Sequence, residues 1–287
     1  MTVLVIGGTG TVGSEVVTGL IERGVGVRCL TRYSANAENL PRGVDGCVGD
    51  LAKPSSLGRA FAYVESVFLT TPLSQAETEE GLNALAAAKA AGVKKIVYMS
   101  VPMPDGFDTV PHAKSKIPIE QELKASGIAY TILRPNNFFQ NDYWNKAAIM
   151  AYDVYPQPVG NVGLNRIDSR DIADAAVNAL LQSGFEGQEY NLHGSETLTG
   201  EDIARVYSHH FGRDIRYGGD DLEAWAKQAQ HMMPTWMVDD MKIMYQYFQQ
   251  HGLIASAEDL ARQQEILGHV PRSFDDFVAQ VAVSWRE

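Results

Sequence analysis

A glycine triplet near the start of the chain constrains its fold more than any other feature. In "TVLVIGGTGTVGSEVV", Gly7, Gly10 and Gly13 form G-x-x-G-x-x-G directly between an unbroken β-branched run and an amphipathic run. A buried strand that turns at once into a helix needs glycine for the tight turn, for close approach of a ligand to the backbone, and for close packing of helix on strand. The helix then opens with unpaired N–H groups that favour a pyrophosphate. The triplet predicts a dinucleotide site at the first strand–helix turn.

The same alternation continues. "VGVRCLTR", "GVDGCVGD", "SLGRAFAYV", "SVFLTTP", "ETEEGLNALAAAKAAGV", "KKIVYMS" and "AYTILRP" follow one another as short apolar runs and longer helical patterns. Apolar runs without polar alternation are what a parallel sheet covered on both faces requires, and strand–helix alternation gives βαβ units. At 153–163 the texture changes to "DVYPQPVGNVG", a proline- and glycine-rich loop. A helix follows, "RDIADAAVNALLQ", with Asp168 or Ser169 as N-cap, and then a short strand, "EYNLHG". Beyond it strands nearly stop, and Thr199 with Asp202, Ser256 with Asp259 and Ser273 with Asp276 mark three helix starts. The expected architecture is α/β: a doubly wound parallel Rossmann-type sheet from residues 1–152 and about 164–193, and a smaller, mainly helical substrate lobe from 153–163 and 194–287. Met232, Met233, Met237, Met241 and Met244, with Trp225, Trp236, Tyr245, Tyr247 and Phe248, read either as helical core or as the wall of a pocket for a planar apolar ligand.

Composition narrows the function. The 287 residues carry a formal net charge of -11, so no basic field draws phosphate backbones or anionic lipid, and nucleic acid is disfavoured as a partner. Cys29 and Cys47 lack metal-ligand spacing and read as buried free thiols; no metal site is expected. The N-terminus runs straight into "TVLVIGG" and no apolar run reaches membrane-spanning length. A soluble cytoplasmic protein is expected, and a homodimer from size and charge alone.

Two positions bear on the choice of dinucleotide. Where NAD sites usually place an acidic residue after the second strand, this chain has Arg32, whose guanidinium suits a 2′-phosphate; the alternative is a solvated loop residue. NADP(H) is therefore expected over NAD(H). "GDL" ends the third strand, where Asp50, beside Leu51, is placed to reach the adenine amino group or else to cap a turn.

With these residues in view, the chain resembles the NmrA-like branch of the atypical short-chain dehydrogenases/reductases essentially end to end. "GGTGTVG" and "GDLAKPSSL" resemble its cofactor half, "SKIPIEQELKASGIAYTILRPNNFFQN" its central signature, and "RIDSRDIADAAVNAL", "EYNLHGSETLTGEDIARVYSHHFGRDIRY" and "LGHVPRSFDDF" its C-terminal half. The family holds reductases of quinones, cationic dyes and iminium compounds, and also regulators that bind the dinucleotide without turning it over. The resemblance implies that Thr9, Thr11 and Val12 join the phosphate loop. It further implies that Thr70, Thr71 and Leu73 run along the nicotinamide side, that Asn137 to Asn141, with Phe138 between them, close over the cofactor, and that Lys116 is the catalytic or ribose-binding lysine.

In one respect the chain departs from the larger superfamily. His112 stands four residues before Lys116, where the Y-x-x-x-K motif has tyrosine, so the usual phenol proton donor is missing. Pro118 opposes helical continuation, which predicts a helix starting at 115–118 and His112 on the preceding loop. His112 is a candidate proton donor, and Ser100, at the end of the fifth strand, a candidate to position the carboxamide or the substrate. Lys114 is expected in solvent, and Arg134 and Asp171 in structural pairing. The expected function is NADPH-dependent hydride transfer to a small, planar, conjugated acceptor. The alternatives are an NADP(H)-sensing regulator and an isomerase or dehydratase with a tightly held nucleotide.

Overall fold

The short apolar runs become strands in the computed structural model, which describes residues 1–286. They are β1 (Thr2–Ile6), β2 (Gly26–Thr31), β3 (Asp45–Val48), β4 (Ser66–Leu69), β5 (Lys95–Met99), β6 (Ala129–Pro135), β7 (Val154–Tyr155), β8 (Gln188–Leu192) and β9 (Arg216–Tyr217). Seven of them form one parallel sheet in the order β3-β2-β1-β4-β5-β6-β8, while β7 and β9 make a separate two-stranded ribbon. The strand order reverses between β1 and β4, and a ligand crevice forms beyond the carboxyl ends of strands at such a switch point.

The helices are α1 (Thr11–Glu22), α2 (Ser34–Glu38), α3 (Gly58–Phe61), α4 (Glu77–Ala91), α5 (Pro111–Lys114), α6 (Ile117–Ala125), α7 (Lys146–Tyr152), α8 (Ser169–Leu181), α9 (Gly200–Phe211), α10 (Leu222–Ala229), α11 (Thr235–His251), α12 (Ala257–Leu267) and α13 (Phe274–Ser284). Side chains alternate across a strand. Val3 and Val5 of β1 therefore face a core shared with α1 and α8, while Leu4 and Ile6 face a second core shared with α3, α4 and α6. Both faces of the sheet are dry, as the apolar runs require. Cys29 and Cys47 are buried free thiols. Burial pushes the Cys29 thiol up to about 12, and its Sγ packs where a Cβ on Gly8 would lie, 2.6 Å away.

A third core joins α9, α11 and α13 with Phe107, Val110, Ala113, Phe139 and Ile149 from the first 152 residues. In the other direction α12 returns to the sheet, where Ile266 and Leu267 enter the α1–α8 core. Segments from both sides of the boundaries that the sequence suggests thus share common cores. Helices begin where the capping residues predict: Thr199 and Ser256 form capping boxes, Ser273 caps α13, and Asp168 caps α8. Tyr245 and Phe248 are buried in the third core, Trp225, Met241, Met244 and Tyr247 pack against it, and none of them lines the crevice described below. Among the described residues no helix is long and apolar enough to cross a membrane.

His193, just after β8, fastens α12 to the sheet. Gln263 accepts from its backbone N–H (2.7 Å) and donates to its carbonyl (2.9 Å), while its Nδ1 meets the Asn136 amide at 3.0 Å. Burial lowers the imidazole from 6.5 to about 4, partly opposed by Asp259. A depressed histidine is neutral in the fold, so between these two values the unfolded chain takes up a proton that the fold refuses. Stability is therefore lost as pH falls through 6.5, by about 2 kcal/mol at pH 5. Urea unfolding between pH 7.5 and 5 should show this loss, and His193→Gln should flatten it; an unchanged slope in the variant would assign the loss to other groups.

Candidate active site

The crevice at the switch point is a cleft of about 560 Å³ whose floor is the glycine turn. Gly7 sits at φ +81°, a conformation that side chains rarely adopt, and a Cβ there would lie 2.3 Å from Cγ2 of Thr70. A Cβ on Gly13 would lie 2.0 Å from the Gly7 carbonyl oxygen, so strand and helix touch through that hydrogen. Gly10 donates its N–H to the Gly7 carbonyl (2.9 Å) and ends in the N-cap position of α1. That helix has no side-chain cap and no acidic residue in its first turn, whereas α8, α9, α10, α12 and α13 are all capped by side chains. Its free N–H groups open into a cleft lined by Gly7, Thr9, Gly10, Thr11, Val12 and Gly13, a cradle that fits a pyrophosphate.

At one end the cleft is bounded by Leu30, Arg32, Tyr33, Asn36, Gly49, Asp50 and Leu51. Arg32 is exposed and has no salt-bridge partner among the described residues, so its charge is free for a ligand phosphate. One oxygen of Asp50 accepts from the Ala52 N–H (3.1 Å) and the other lies 3.9 Å from Lys53. The turn role weighed for Asp50 is thus realised, while the residue still borders the cleft. Tyr33 and Asn36 escaped the sequence reading because nothing in "YSAN" distinguishes a ligand wall from a loop.

Toward the other end run Thr70, Thr71, Pro72, Leu73, Met99 and Phe138. Behind them Lys116, only 8% exposed, pairs with Glu77, which is 1% exposed. The Lys116 ammonium also donates to Oγ1 of Thr71 (3.3 Å), and Glu77 receives hydrogen bonds from Thr71 (2.6 Å) and Ser115 (2.6 Å). An ion pair taken out of water holds only when the remaining lone pairs are satisfied, and here two hydroxyls do so. Thr71 links this network to the cleft wall. Two buried hydroxyls on the adjoining strand, Tyr98 and Ser100, have no partner among the described residues. Burial, followed by the charge of Glu77, raises the Tyr98 phenol well above 10. Ser100 follows Met99, which lines the cleft, but is itself buried outside the lining, and its hydroxyl has no partner among the described residues.

His112 requires a correction. It lies within the helical turn α5, not on a loop, and the backbone stays right-handed helical through Ser115 (φ -61°, ψ -24°) and Lys116 (φ -83°, ψ -20°). Pro118 removes only the N–H that would reach Lys114. The Lys116 N–H bonds Ala113 instead (3.1 Å), and this tighter turn carries the chain past the proline. Asp240 of α11 takes Nδ1 of His112, so the ring is oriented by the helical lobe while Lys116 is oriented by α4. Lys114 is exposed.

The segment expected to close over the cleft does so through one side chain. Phe138 lines it, whereas Asn137 turns its Oδ1 to Arg166 (3.0 Å) and Asn141 stands outside the lining. Arg166, fully buried, pairs with Asp142 (2.9 Å) and donates to the carbonyl of Phe138 (2.8 Å). Asp171 is paired with Arg272, which also reaches Asp174 (2.9 Å), so a guanidinium already engages both carboxylates of the cluster with His269. Arg134 is held by Glu120 and Glu189 beside a separate cavity of about 360 Å³ along the edge strand β8.

A doubly wound sheet with a glycine cradle, an uncapped helix N-terminus and a buried lysine at the switch point defines a dinucleotide-binding protein of the Rossmann class. The NmrA-like family model matches residues 1–278, and the chain belongs to that family. It is 34% identical to an NAD(P)H azoreductase of Xenophilus azovorans over 99% of both chains. It is also 30% identical to a (4-alkanoyl-5-oxo-2,5-dihydrofuran-3-yl)methyl phosphate reductase of Streptomyces griseus over 98% of both. Among solved structures, an NADPH-dependent quinone oxidoreductase from Escherichia coli, complexed with NADPH, superposes with a TM-score of 0.85 at 25% identity, covering 97% of this chain and 99% of that one.

Proposed function

We propose that the protein transfers a hydride from NADPH to a small planar conjugated acceptor: a quinone, an iminium or cationic dye, or an activated double bond. The coarser statement rests on full-length relatives: the chain is an NAD(P)H-dependent oxidoreductase. The finer one rests on the buried Lys116–Glu77–Thr71 network behind the cleft wall. The azoreductase relative adds azo compounds to the candidate acceptors.

Bound NADPH supplies the hydride, and the protein supplies position and electrostatics. The N–H groups at the start of α1 would hold the pyrophosphate, and Arg32 would pair with a 2′-phosphate, which would favour NADP(H) over NAD(H). Thr70, Thr71 and Leu73 would hold the nicotinamide side, and the Ser100 hydroxyl would position the carboxamide or the substrate. Lys116, fixed by Glu77 and Thr71, directs its cation at the ribose and carboxamide region or at the acceptor. His112, held at Nδ1 by Asp240, or a water delivers the proton through Nε2. Acceptors that need little proton assistance suit a site without the tyrosine of the larger superfamily.

The test follows NADPH absorbance with quinones, cationic dyes, iminium and azo compounds and conjugated carbonyls, with NADH as control. One class should turn over, and Lys116→Ala should slow it by about tenfold to a hundredfold while changing NADPH affinity far less. Unchanged turnover would remove the role of Lys116. If NADPH binds and no acceptor consumes it, an NADP(H)-sensing regulator becomes the better reading.

A further inference from the structure

Glu80 is a buried residue in the cleft wall, and only one of its two carboxylate oxygens meets a protein donor. It lies in the first turn of α4, is 5% exposed, and lines the same cleft as Arg32, Gly49 and Leu51. Asn83, one turn further along that helix, donates to the Leu51 carbonyl (2.9 Å) and so fixes this face of α4 against the turn after β3. Ser74 donates to Oε2 of Glu80 (2.8 Å). Among the described residues no donor reaches Oε1 and no cation pairs with the carboxylate.

A carboxylate removed from bulk water is stable only when donors meet its oxygens. Asp50, the other carboxylate in this lining near Arg32 and Leu51, accepts from its own turn and has a side chain 29% exposed, so water meets its second oxygen. Leu30, Leu51 and Tyr33 give the same end apolar and aromatic surface. A flat heteroaromatic ring carrying an exocyclic amine answers both features: its faces meet the apolar walls and its N–H groups meet Oε1. We propose that Glu80 accepts a hydrogen bond from the 6-amino group of adenine and makes the cleft selective for adenine over hypoxanthine. The proposal rests on the dinucleotide reading of the cleft and adds a residue that selects the base. Hypoxanthine presents a carbonyl oxygen at that position, and two acceptors facing one another repel.

Binding is measured by isothermal titration calorimetry with NADPH and with its hypoxanthine analogue, which carries an oxygen in place of the 6-amino group and N–H in place of the bare N1. The wild-type protein should bind NADPH about tenfold or more tightly than the analogue, as expected for a charge-assisted hydrogen bond. Glu80→Gln should reduce the ratio to about threefold or less, because a carboxamide turns either its oxygen or its NH2 toward the base. Glu80→Ala, whose truncated side chain opens onto the cleft, should bring the ratio near one. Equal affinity of the wild-type protein for both ligands, or an unchanged ratio in both variants, overturns the role of Glu80 and leaves the dinucleotide reading standing. Failure of the wild-type protein to bind either ligand overturns both.

Discussion

Replacing Asp142 by asparagine is expected to destabilise the fold by about 3–5 kcal/mol, because it leaves a guanidinium buried without its counter-charge. Arg166 and Asp142 both have fully buried side chains, and Arg166 meets the carboxylate twice, at 2.9 and 3.1 Å. Burial alone would lower the guanidinium pKa, but Asp142 outweighs it and the net direction is upward. The carboxylate also receives the hydroxyls of Tyr207 (3.1 Å) and Tyr155 (3.3 Å), and the guanidinium lies over the ring of Phe274 at 5.3 Å. An amide keeps the shape and removes the charge, so the cost is electrostatic. In a chain of this size the melting temperature should fall by roughly 10 °C. The effect should also reach the cleft, because Arg166 holds the carbonyl of Phe138, and NADPH affinity should fall with stability. Replacing both partners by apolar residues of similar volume should cost less than the single change. Thermal unfolding of the single and paired variants tests the account, and a single variant as stable as the parent would refute it.

The second large effect is expected at Gly13. Its alanine variant would place Cβ 2.0 Å from the Gly7 oxygen, 2.6 Å from the Gly7 carbonyl carbon and 3.0 Å from Cα of Gly8. All three are backbone atoms of the phosphate loop, so no side chain can swing aside. Helix α1 must retreat from β1, at a cost of about 1–3 kcal/mol, and the cradle opens with it. NADPH binding should weaken on the order of a hundredfold or more, since the N–H groups no longer converge. Gly10→Ala supplies the contrast. Its Cβ meets only the Gly7 oxygen, at 3.3 Å, and its φ of -89° is ordinary for any residue. Stability there should stay near the parent value while binding falls, because the methyl group occupies space that the pyrophosphate approaches. Calorimetric binding beside thermal unfolding separates the two glycines; equal behaviour would mean that Gly13 serves the ligand only and not the packing.

The local sequence pattern was sufficient for the sheet, its parallel sense, the helix starts at Thr199, Ser256 and Ser273, and the glycine cradle. Each depends on the chemistry of a few consecutive residues: β-branched runs that need two dry faces, capping hydroxyls, and a turn that excludes Cβ atoms. The family resemblance added Lys116. The partners that define the site were not legible. Glu77, 39 residues from Lys116, reads as the acidic first turn of a solvated helix, and Asp240, 128 residues from His112, as one acid among several in an amphipathic stretch. Glu80 and Asp142 look equally ordinary in the sequence. Around Pro118 the start of α6 at Ile117 falls where the sequence places it, but the helical turn that holds His112 was not legible, because a proline forbids one hydrogen bond without forbidding the helical path. Local chemistry fixes local geometry, but which charge is removed from water, and what answers it there, is decided only when distant segments close on one another. In this protein the sequence determined the cradle, and the tertiary structure determined which side chains beside it are held, paired or left free.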